Sequence, residues 1–523
     1  MMKREAMLAA ILAGVGVGAG CSQVDPRGDY RRAAERIAEA TGEIAIYQPH
    51  DEAAAEAVLS DLLAGGITTD AAVRIALVNN PTLQAAFFRI GMSRADVVQS
   101  GLLSNPSLGV SLRLPEAGGR ANLEAGLAQN IADLWQIPVR KRAAQRELDR
   151  AILEVAASAA DLAVEVKAAY LAAAAADQLL AIARENLRIT QELHGIAIAR
   201  QQAGSASAID VNLARGTMLA AEVVVQNARL DSSVARRRLA TLLGLTLDAN
   251  ELDLNDPLPA PPRMDLDAAA ITQMAREFRL DLRAAREAVD AARARVELEV
   301  RRIFPDVNVG LALERSERRA LQGRNILADT ARASIAAGGL AAPEIQSRGQ
   351  RDAERRAVID TIVGPTFDLT LPIFDQNQAQ IAKAKYAHEQ ALRTLIALDR
   401  QAVQQARDAA DRAVTAWGVA RLFDDEILPQ AQRTLDLSFE TYRVGRSPIT
   451  VILEAQRTHL DARRTRVIAH QSAATAIAEL QRAVARPDVV VLGRAGVSTQ
   501  PASTAPATRP AASDEMRANG ESP

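Results

Sequence analysis

Apolar residues follow two different periods along this chain, and the two periods predict long helices that alternate with pairs of short strands. In the proline-free stretch from Val139 to Asp256, apolar residues recur at alternating steps of four and three, the heptad pattern of coiled coils. The seam consists of Leu148, Ile152, Val155, Ala159, Leu162, Val166, Ala169, Ala173, Ala176, Leu180 and Ala183. Because many seam positions are alanine, neighbouring helices can approach closely. One helix from Val139 to Arg200 would be on the order of 90 Å long at ~1.5 Å per residue.

The second period is a strict alternation of apolar and polar residues, and it marks four strands in two pairs. The apolar positions are Leu108, Val110 and Leu112; Leu123, Ala125 and Leu127; Val307, Val309, Leu311 and Leu313; and Phe367, Leu369, Leu371 and Ile373. Such strands suit a tilted membrane-spanning strand, and a half-buried soluble hairpin shows the same pattern. Four strands cannot close a barrel around a lumen, so a membrane location requires several chains; three chains would supply twelve strands.

The order of these elements occurs twice, which predicts an internal duplication. Each copy has a helical segment, two strands, a long helix, a tight turn and a second long helix. The first copy spans 67–245 and the second spans 264–485, with a linker at 246–263. The turns fall at the glycine-containing segments 204–207 and 445–448, because glycine readily ends a helix.

Each copy opens with one predicted helical segment, which runs through Asn80 in the first copy and from Leu266 towards Phe304 in the second. Between the strands of the second copy, the polar and arginine-rich segment 315–363 is predicted to be an inserted, exposed loop. The residues before the first copy, 22–66, form a predicted N-terminal periplasmic segment.

The first residues indicate an export signal. Lys3 and Arg4 give a positive start, and the apolar stretch 6–20, too short for a good membrane span, ends at Cys21. A lone cysteine in this place resembles a bacterial lipobox, in which the sulfur of Cys21 receives a diacylglycerol and becomes the new N-terminus. An incidental cysteine inside an ordinary cleaved signal is the alternative. Ser22, in place of the aspartate that retains lipoproteins at the inner membrane in enteric bacteria, points to the outer membrane.

Charge and composition exclude several classes of function. The 62 lysines and arginines balance 64 acidic residues for a formal net charge of −2, which argues against a nucleic-acid partner. Aromatic residues make up only 3%, which suits packed helices better than an aromatic-lined pocket. No later segment is predicted to be a transmembrane helix. The tail at 486–523, rich in Pro, Ala, Ser and Thr, is predicted to be disordered because it cannot bury a core.

Sequence motifs for catalysis or cofactor binding are missing. The five histidines are His50, His194, His388, His459 and His470. They show no H-x-x-x-H spacing, and Cys21 has no second cysteine to join it in a metal site. The chain also lacks a P-loop, a dinucleotide fingerprint and a G-x-S-x-G elbow. We therefore expect no catalytic residues, no metal site and no cofactor.

Two related motifs lie at the helix breaks. The first reads RQQAGSASAIDVNLAR from Arg200 to Arg215, and the second reads YRVGRSPITVILEAQR from Tyr442 to Arg457. In both, a glycine that can end a helix is followed by Ser or Pro, which can start the returning helix. Each motif therefore predicts an antiparallel helical hairpin.

With the duplication and the strand pairs, these motifs resemble the TolC-like outer-membrane efflux family. The segment LPIFD at 371–375 is similar to the family's strand-to-helix junction, and 427–431 together with 445–457 is similar to its second tip helix. The resemblance covers roughly 68–485 in correct order and spacing.

The resemblance implies a mainly α fold with a small β part. In it, duplicated helix-strand-strand-helix-helix repeats form a homotrimeric, long α-helical barrel in the periplasm, continued by a 12-stranded β-barrel in outer-membrane lipid. The helix tips would face a periplasmic adaptor and an inner-membrane pump of RND or ABC type. By the same resemblance, Glu454, with Asp210 from the first repeat, is expected to constrict the periplasmic entrance; the alternative is that both are solvated acids on helix faces. The residues implied for adaptor docking or tip shape are Arg200, Gly204, Tyr442, Arg443, Gly445 and Arg446.

The sequence therefore predicts a passive outer-membrane channel subunit for efflux or type I secretion, lipid-anchored and spanning, with most of its mass in the periplasm. Two other functions compete with this interpretation. A periplasmic adaptor would normally have one helical hairpin with β-rich modules, whereas two hairpins are predicted here. A structural coiled-coil lipoprotein would lack interruptions by membrane-length strands.

Overall fold

The computed structural model describes residues 23–44, 46–49, 52–114, 116, 121–246, 252–260, 266–317, 335, 336, 338 and 359–489, so Cys21 lies outside the described residues. The helices are α1 (Arg27–Thr41), α2 (Glu52–Ala64), α3 (Thr69–Asn79), α4 (Pro81–Ser100), α5 (Asp133–Gln202), α6 (Ala208–Leu242), α7 (Ala268–Phe278), α8 (Leu280–Arg301), α9 (Gln378–Leu422), α10 (Leu428–Arg443) and α11 (Ile449–Val484). The strands are β1 (Ser107–Arg113), β2 (Asn122–Asn130), β3 (Val307–Glu317) and β4 (Ile359–Leu369). The protein is thus mostly helical with one small sheet.

Helix α5 is the axis on which the other helices pack. It has 70 residues, which confirms the predicted single helix and gives a length on the order of 105 Å. All the predicted seam positions are buried or half-buried. Helices α1, α3, α4, α6, α8 and α11 pack against it. The alanines of the seam therefore face other helices, as the heptad pattern predicts.

Among the described residues, α5 alone is long and apolar enough to cross a membrane, with a mean hydropathy of 1.3 over 18 residues. The sequence predicts no later transmembrane helix, and α5 meets the length and composition test because its alanine-rich seam is itself apolar. In the structure, 61% of that window is buried against the rest of the protein, as in a core helix.

The four strands form one antiparallel sheet in the order β1-β2-β3-β4. Leu108 of β1 lies opposite Leu127 of β2, and Leu127 lies opposite Leu311 of β3. Val309 of β3 lies opposite Phe367 of β4. Because successive side chains in a strand point to opposite faces, this register collects the alternating apolar residues on one face of the sheet.

The last strand is shifted along the chain relative to its prediction. It was expected to include Leu371 and Ile373, but β4 ends at Leu369. Pro372 has no N–H to donate to a ladder, and the Ile373 N–H instead bonds the Leu371 carbonyl at 2.9 Å in a tight turn.

The predicted loop 315–363 is correspondingly shorter at both ends. Arg315 pairs with Thr361 and Glu317 with Ile359, so both flanks of the predicted loop belong to the sheet. The run from Ile359 to Val363 is rich in β-branched residues, which fit a strand. Apart from 335, 336 and 338, the interior of this segment lies outside the described residues.

The first opening helical segment is broken at Asn80, where one helix was predicted. The Asn80 side chain accepts hydrogen bonds from the backbone N–H groups of Thr82 and Leu83, and its amide donates to the Leu242 carbonyl at 2.9 Å. Asn79 donates in the same way to the carbonyls that follow α6. The two asparagines therefore cap the start of α4 and the end of α6 together. The second opening segment is likewise divided, at Arg279, into α7 and α8.

Between α9 and α10 the helix widens into a five-residue π-helical turn, Phe423–Ile427, which was not predicted. The N–H of Leu428 bonds the Phe423 carbonyl, five residues back. Pro429, in the next position, has no N–H for an α-helical bond to Asp425. The π-turn accommodates this missing donor without ending the helix.

Tyr170 of α5 holds both the start of the first copy and the linker that follows it. Its hydroxyl donates to the Ile67 carbonyl and accepts from the Asp256 N–H, both at 2.9 Å. Ile67 also forms a parallel bridge with Leu254. Burial raises the pKa of Tyr170, which keeps the phenol neutral as a donor. The described part of the predicted linker is thus anchored to the core.

Removing the shared cap at Asn80 tests the junction of α4 with α6. We expect Asn80→Ala to lower the free energy of unfolding by about 2 kcal/mol, because it loses both an N-cap and a bond to a helix carbonyl. The measurement is chemical unfolding in detergent followed by circular dichroism. Asn80→Ser is the matched control, since it keeps a cap acceptor but not the amide donor, and should lose about half as much. Equal losses would contradict a shared cap.

Ala485 follows the last turn of α11 in a left-handed conformation, with φ of 51°. We expect Ala485→Gly to raise the free energy of unfolding by about 1 kcal/mol, because glycine has no Cβ to strain there. The same unfolding experiment checks the gain. Ala474→Gly, inside the same helix, should instead destabilise by about 1 kcal/mol. A loss in both variants would show that the left-handed position carries no strain.

Candidate functional site

Two helix-to-helix turns carry the sequence motifs, and they end their helices in the same way. The first turn joins α5 to α6 and the second joins α10 to α11. Gly204 and Gly445 have φ of 72° and 77°. Ser205 N–H bonds the Arg200 carbonyl at 2.8 Å, and Arg446 N–H bonds the Thr441 carbonyl at 2.9 Å. Both turns are glycine-terminated helix ends that require a left-handed residue, so the two predicted hairpins are confirmed.

Asp210 has a structural part in the first turn. Its carboxylate accepts from the Ser207 N–H at 2.8 Å and from the Ser207 hydroxyl at 3.0 Å, while the Ser207 hydroxyl accepts from the Asp210 N–H at 3.2 Å. This reciprocal pair is a capping box that starts α6. The half-buried Asp210 carboxylate is therefore oriented by the backbone of the turn.

The two turns are packed side by side, although the motifs lie far apart in sequence. Arg200 donates to the Tyr442 carbonyl at 2.8 Å, and its guanidinium lies 4.6 Å from the centre of the Tyr442 ring. Tyr442 is buried, and a Cβ added at Gly445 would lie 4.0 Å from Nη2 of Arg200. The buried core under the turns, here called the tip cluster, consists of Leu193, Ala197, Ala214, Tyr442, Ile449 and Ile452. All four helices α5, α6, α10 and α11 contribute to it.

The remaining predicted site residues surround this packed pair on its surface. Arg443, Arg446 and Glu454 are exposed, the last on the second turn of α11. The structure therefore brings Arg200, Tyr442 and Gly445 into contact, and leaves Arg443, Arg446 and Glu454 free to meet another molecule. Gly204 lies at the bend of the first turn, with open space around it.

Sequence reasoning missed a second polar assembly, at the π-turn above the tips. Asp424 accepts from Arg466 at 2.5 Å and lies 2.9 Å from Nε2 of the buried His470. The bonds from Arg466 and His470 lower the pKa of Asp424 against the opposing effect of burial. Pro429, inside a long helical pattern, was the one signal in the sequence that could have indicated this irregular turn.

No group of three or more His, Cys, Asp or Glu side chains that could hold a metal ion occurs in the described part of the chain. The geometry is that of two helical hairpins joined at their tips, on a long bundle that carries a small apolar sheet at its other end.

The comparisons with known proteins agree with this arrangement. The model of the family described as outer membrane efflux protein matches residues 72–245 and 271–486. Among curated relatives, the cobalt-zinc-cadmium resistance protein CzcC of Cupriavidus metallidurans is 24% identical over 413 residues, covering 76% of this chain and 85% of CzcC. Protein CyaE of Bordetella pertussis is 27% identical over 424 residues, covering 76% of this chain and 79% of CyaE.

Solved structures share the fold at low sequence identity. The outer membrane protein VceC of Vibrio cholerae superposes with a TM-score of 0.60 at 16% identity, over 80% of this chain and 96% of VceC. The CmeC outer membrane channel of Campylobacter jejuni has a TM-score of 0.61 at 16% identity, over 80% of this chain and 85% of CmeC. The chain belongs to the outer membrane efflux protein family, and is thus an outer-membrane channel subunit of tripartite efflux or secretion systems, a transport component with no enzymatic role in that family.

Proposed function

We propose that three copies of this chain form one passive duct, with a shared twelve-stranded barrel in the outer membrane and a long helical barrel in the periplasm. The observation that carries this proposal is the open sheet. Within the described residues, β1 pairs only with β2 and β4 only with β3, so both edges are unpaired. Unpaired backbone groups are not viable in lipid, and closure through neighbouring copies satisfies them.

The surface of the sheet supports the membrane location. Leu108, Val110 and Leu112 of β1 are 72%, 66% and 62% exposed, and Phe367 of β4 is 68% exposed. Exposed apolar side chains in a regular row are costly in water and favourable against lipid tails. The strands of 7 to 11 residues are near the length that a tilted strand needs to span a bilayer.

The outer face of α6 supports association through the helices. Ile209, Leu213, Val223, Leu230 and Val234 are all exposed apolar residues, and their successive spacings of 4, 10, 7 and 4 are sums of three- and four-residue steps, which keeps them on one helix face. This is a second heptad-like seam on the side of α6 that faces away from α5. A neighbouring copy would cover it, which is why we assign this face to the contact between subunits.

We infer that the two halves, 67–245 and 264–485, are copies of one unit, that 1–21 is a signal peptide, and that Cys21 is acylated and anchors the chain in the outer membrane. The similar order of helices and strands in the halves supports the first inference. Ser22 and the single cysteine after an apolar stretch support the anchor. Most of the helical mass would then lie in the periplasm, with α10 and α11 reaching towards the inner membrane.

The joined tips are the proposed entrance. Glu454 from three copies, with Asp210, would narrow the mouth and attract cations. The adaptor would dock on the surface formed around Arg200, Gly204, Tyr442, Arg443, Gly445 and Arg446. An RND or ABC pump would supply both energy and selectivity. Two relatives of this chain are named for cobalt, zinc and cadmium resistance and for pyoverdine export, so channels of this kind serve chemically unlike cargoes.

The mass of the detergent-extracted protein tests the duct. We expect light scattering, corrected for detergent, to give three chains. Leu230→Arg, which places a charge in the apolar seam of α6, should shift the mass towards one chain because a buried unpaired charge costs several kcal/mol. Glu222→Arg, at an exposed site on a different face of the same helix, is the matched control and should leave the trimer intact. A folded monomer in the unmodified protein would refute the shared barrel.

Single-channel recording in planar bilayers tests the entrance. We expect Glu454→Gln to reduce the cation-to-anion permeability ratio about twofold or more, because three carboxylates are removed from one constriction. Glu389→Gln, an exposed acid on α9, should leave the ratio unchanged. An unaltered permeability ratio in Glu454→Gln would show that Glu454 does not line the mouth, and it would leave the evidence for the trimer unchanged.

A further inference from the structure

A groove adjoins the tip cluster, between α5, the π-turn, α10 and α11. Its apolar floor includes Ile189, Leu428 and Leu435, and its charged rim includes Glu185 and Arg463. Ile189 and Leu435 also pack on the tip cluster. Any change in how α11 is seated along this groove is therefore transmitted to the turn between α10 and α11.

His459 lies in this groove as a buried side chain with an unsatisfied ring nitrogen. It is 7% exposed, and its Nδ1 has no hydrogen-bond partner among the described residues. A neutral imidazole can leave one nitrogen as an unused acceptor at modest cost. An imidazolium carries an N–H on both nitrogens, so protonation would bury a charged donor without an acceptor.

The acidic groups around His459 already have other partners, so none of them is placed to pair with a protonated imidazole ring. On α5, Glu185 is paired with Arg463 of α11 at 2.7 Å. In the π-turn, Asp424 is bound by Arg466 and His470. On α10, the exposed Asp436 accepts from the Gln432 amide at 2.8 Å.

The cationic groups add to the effect. Arg463 lies one helical turn beyond His459 on the same face of α11 and repels a second positive charge. Burial first, and then Arg463, lower the pKa of His459, against weaker opposing effects of Asp436 and Glu185.

We propose that His459 makes the seat of α11 on α5 and α10 acid-labile, so that the joined tips are held at neutral pH and loosen in acid. The neutral ring fits the groove, and the charged ring must reach water. The accessible route is displacement of this part of α11 away from α5 and α10, which separates it from Ile189 and Leu435 and slackens the tip cluster below.

The direction of the pH effect follows from linkage. A histidine whose pKa is lower in the seated state than its ordinary value of about 6.5 binds protons more readily when unseated. The seated state is therefore fully favoured above about pH 6.5 and loses stability as the pH falls below it. His470, by contrast, has the Asp424 carboxylate 2.9 Å from its Nε2. The loosening is thus confined to the tip side of the π-turn.

This device belongs to the packing of a single chain and does not require the duct. Only its consequence, easier opening of the entrance in acid, rests on the proposed function. If the protein proved to be a monomer in detergent, the pH dependence of the helix packing could still be measured in that monomer.

Hydrogen–deuterium exchange of the full-length protein in detergent, read by mass spectrometry, tests the proposal. Rates are corrected for the intrinsic pH dependence of exchange and compared at about pH 7.5 and about pH 5.5, one unit below the ordinary histidine pKa. We expect peptides from 428–443 and 449–467 to open about tenfold more often at the lower pH, whereas 148–173 of α5 should not change.

His459→Gln should abolish the acceleration, because glutamine has no proton to gain, while His388→Gln on α9 should retain it. Equal opening at both pH values in the unmodified protein, or an acceleration that survives in His459→Gln, would overturn the proposal. If His459→Gln does not fold, Arg463→Gln provides the second test. The Arg463→Gln change removes the positive neighbour of His459 and releases Glu185 from its ion pair. Both effects stabilise the protonated ring in the packed helix, so the tenfold acceleration should shrink. An unchanged acceleration would again reject the role of His459.

Discussion

Close contact between helices along the alanine-rich seam of α5 is the constraint on which the rest of the structure depends. Ala159, Ala169 and Ala173 are buried and carry no side chain beyond Cβ, so other helices lie close to the α5 backbone over its length. Each such contact contributes little, but dispersion and burial add up along a helix of 70 residues. A continuous helical axis follows, and it holds the sheet at one end and the joined turns at the other.

The sheet end and the tip end of the helical bundle differ in what completes their packing. At the sheet, apolar side chains are exposed and the edges are unpaired, so that end is completed by lipid and by other copies of the chain. At the tips, Tyr442 and the tip cluster are buried, so the packing of the two turns against each other is complete within one chain. The bond from Arg200 to the Tyr442 carbonyl fixes one hairpin against the other. Under the proposal made for His459, the seating of α11 decides how firmly the two tips stay joined.

Local rules account for most of the elements that were predicted from the sequence. The heptad seam predicted α5, alternation predicted the four strands, and Gly204 and Gly445 predicted the turns, because each of these signals acts within a few residues. One error was itself local: Leu371 and Ile373 were placed in β4, but Pro372 between them cannot donate to the ladder. The features that the sequence missed depend on distant residues. The contact between Arg200 and Tyr442, 242 positions apart, and the orphaned Nδ1 of His459 depend on how helices pack, which no local period reveals.

The π-turn also determines the direction in which the side chains of the following helix, α10, point. A π-turn holds one residue more than an α-helical turn, so the downstream helix is rotated by roughly 100° relative to an uninterrupted one. Leu435 and Tyr442 face the tip cluster in that rotated phase. A deletion of one residue within 423–427 would reverse this rotation and turn both side chains away from their partners. The length of the segment 423–427 is thus fixed by helix packing, whereas an exposed loop in the same place would tolerate insertions and deletions.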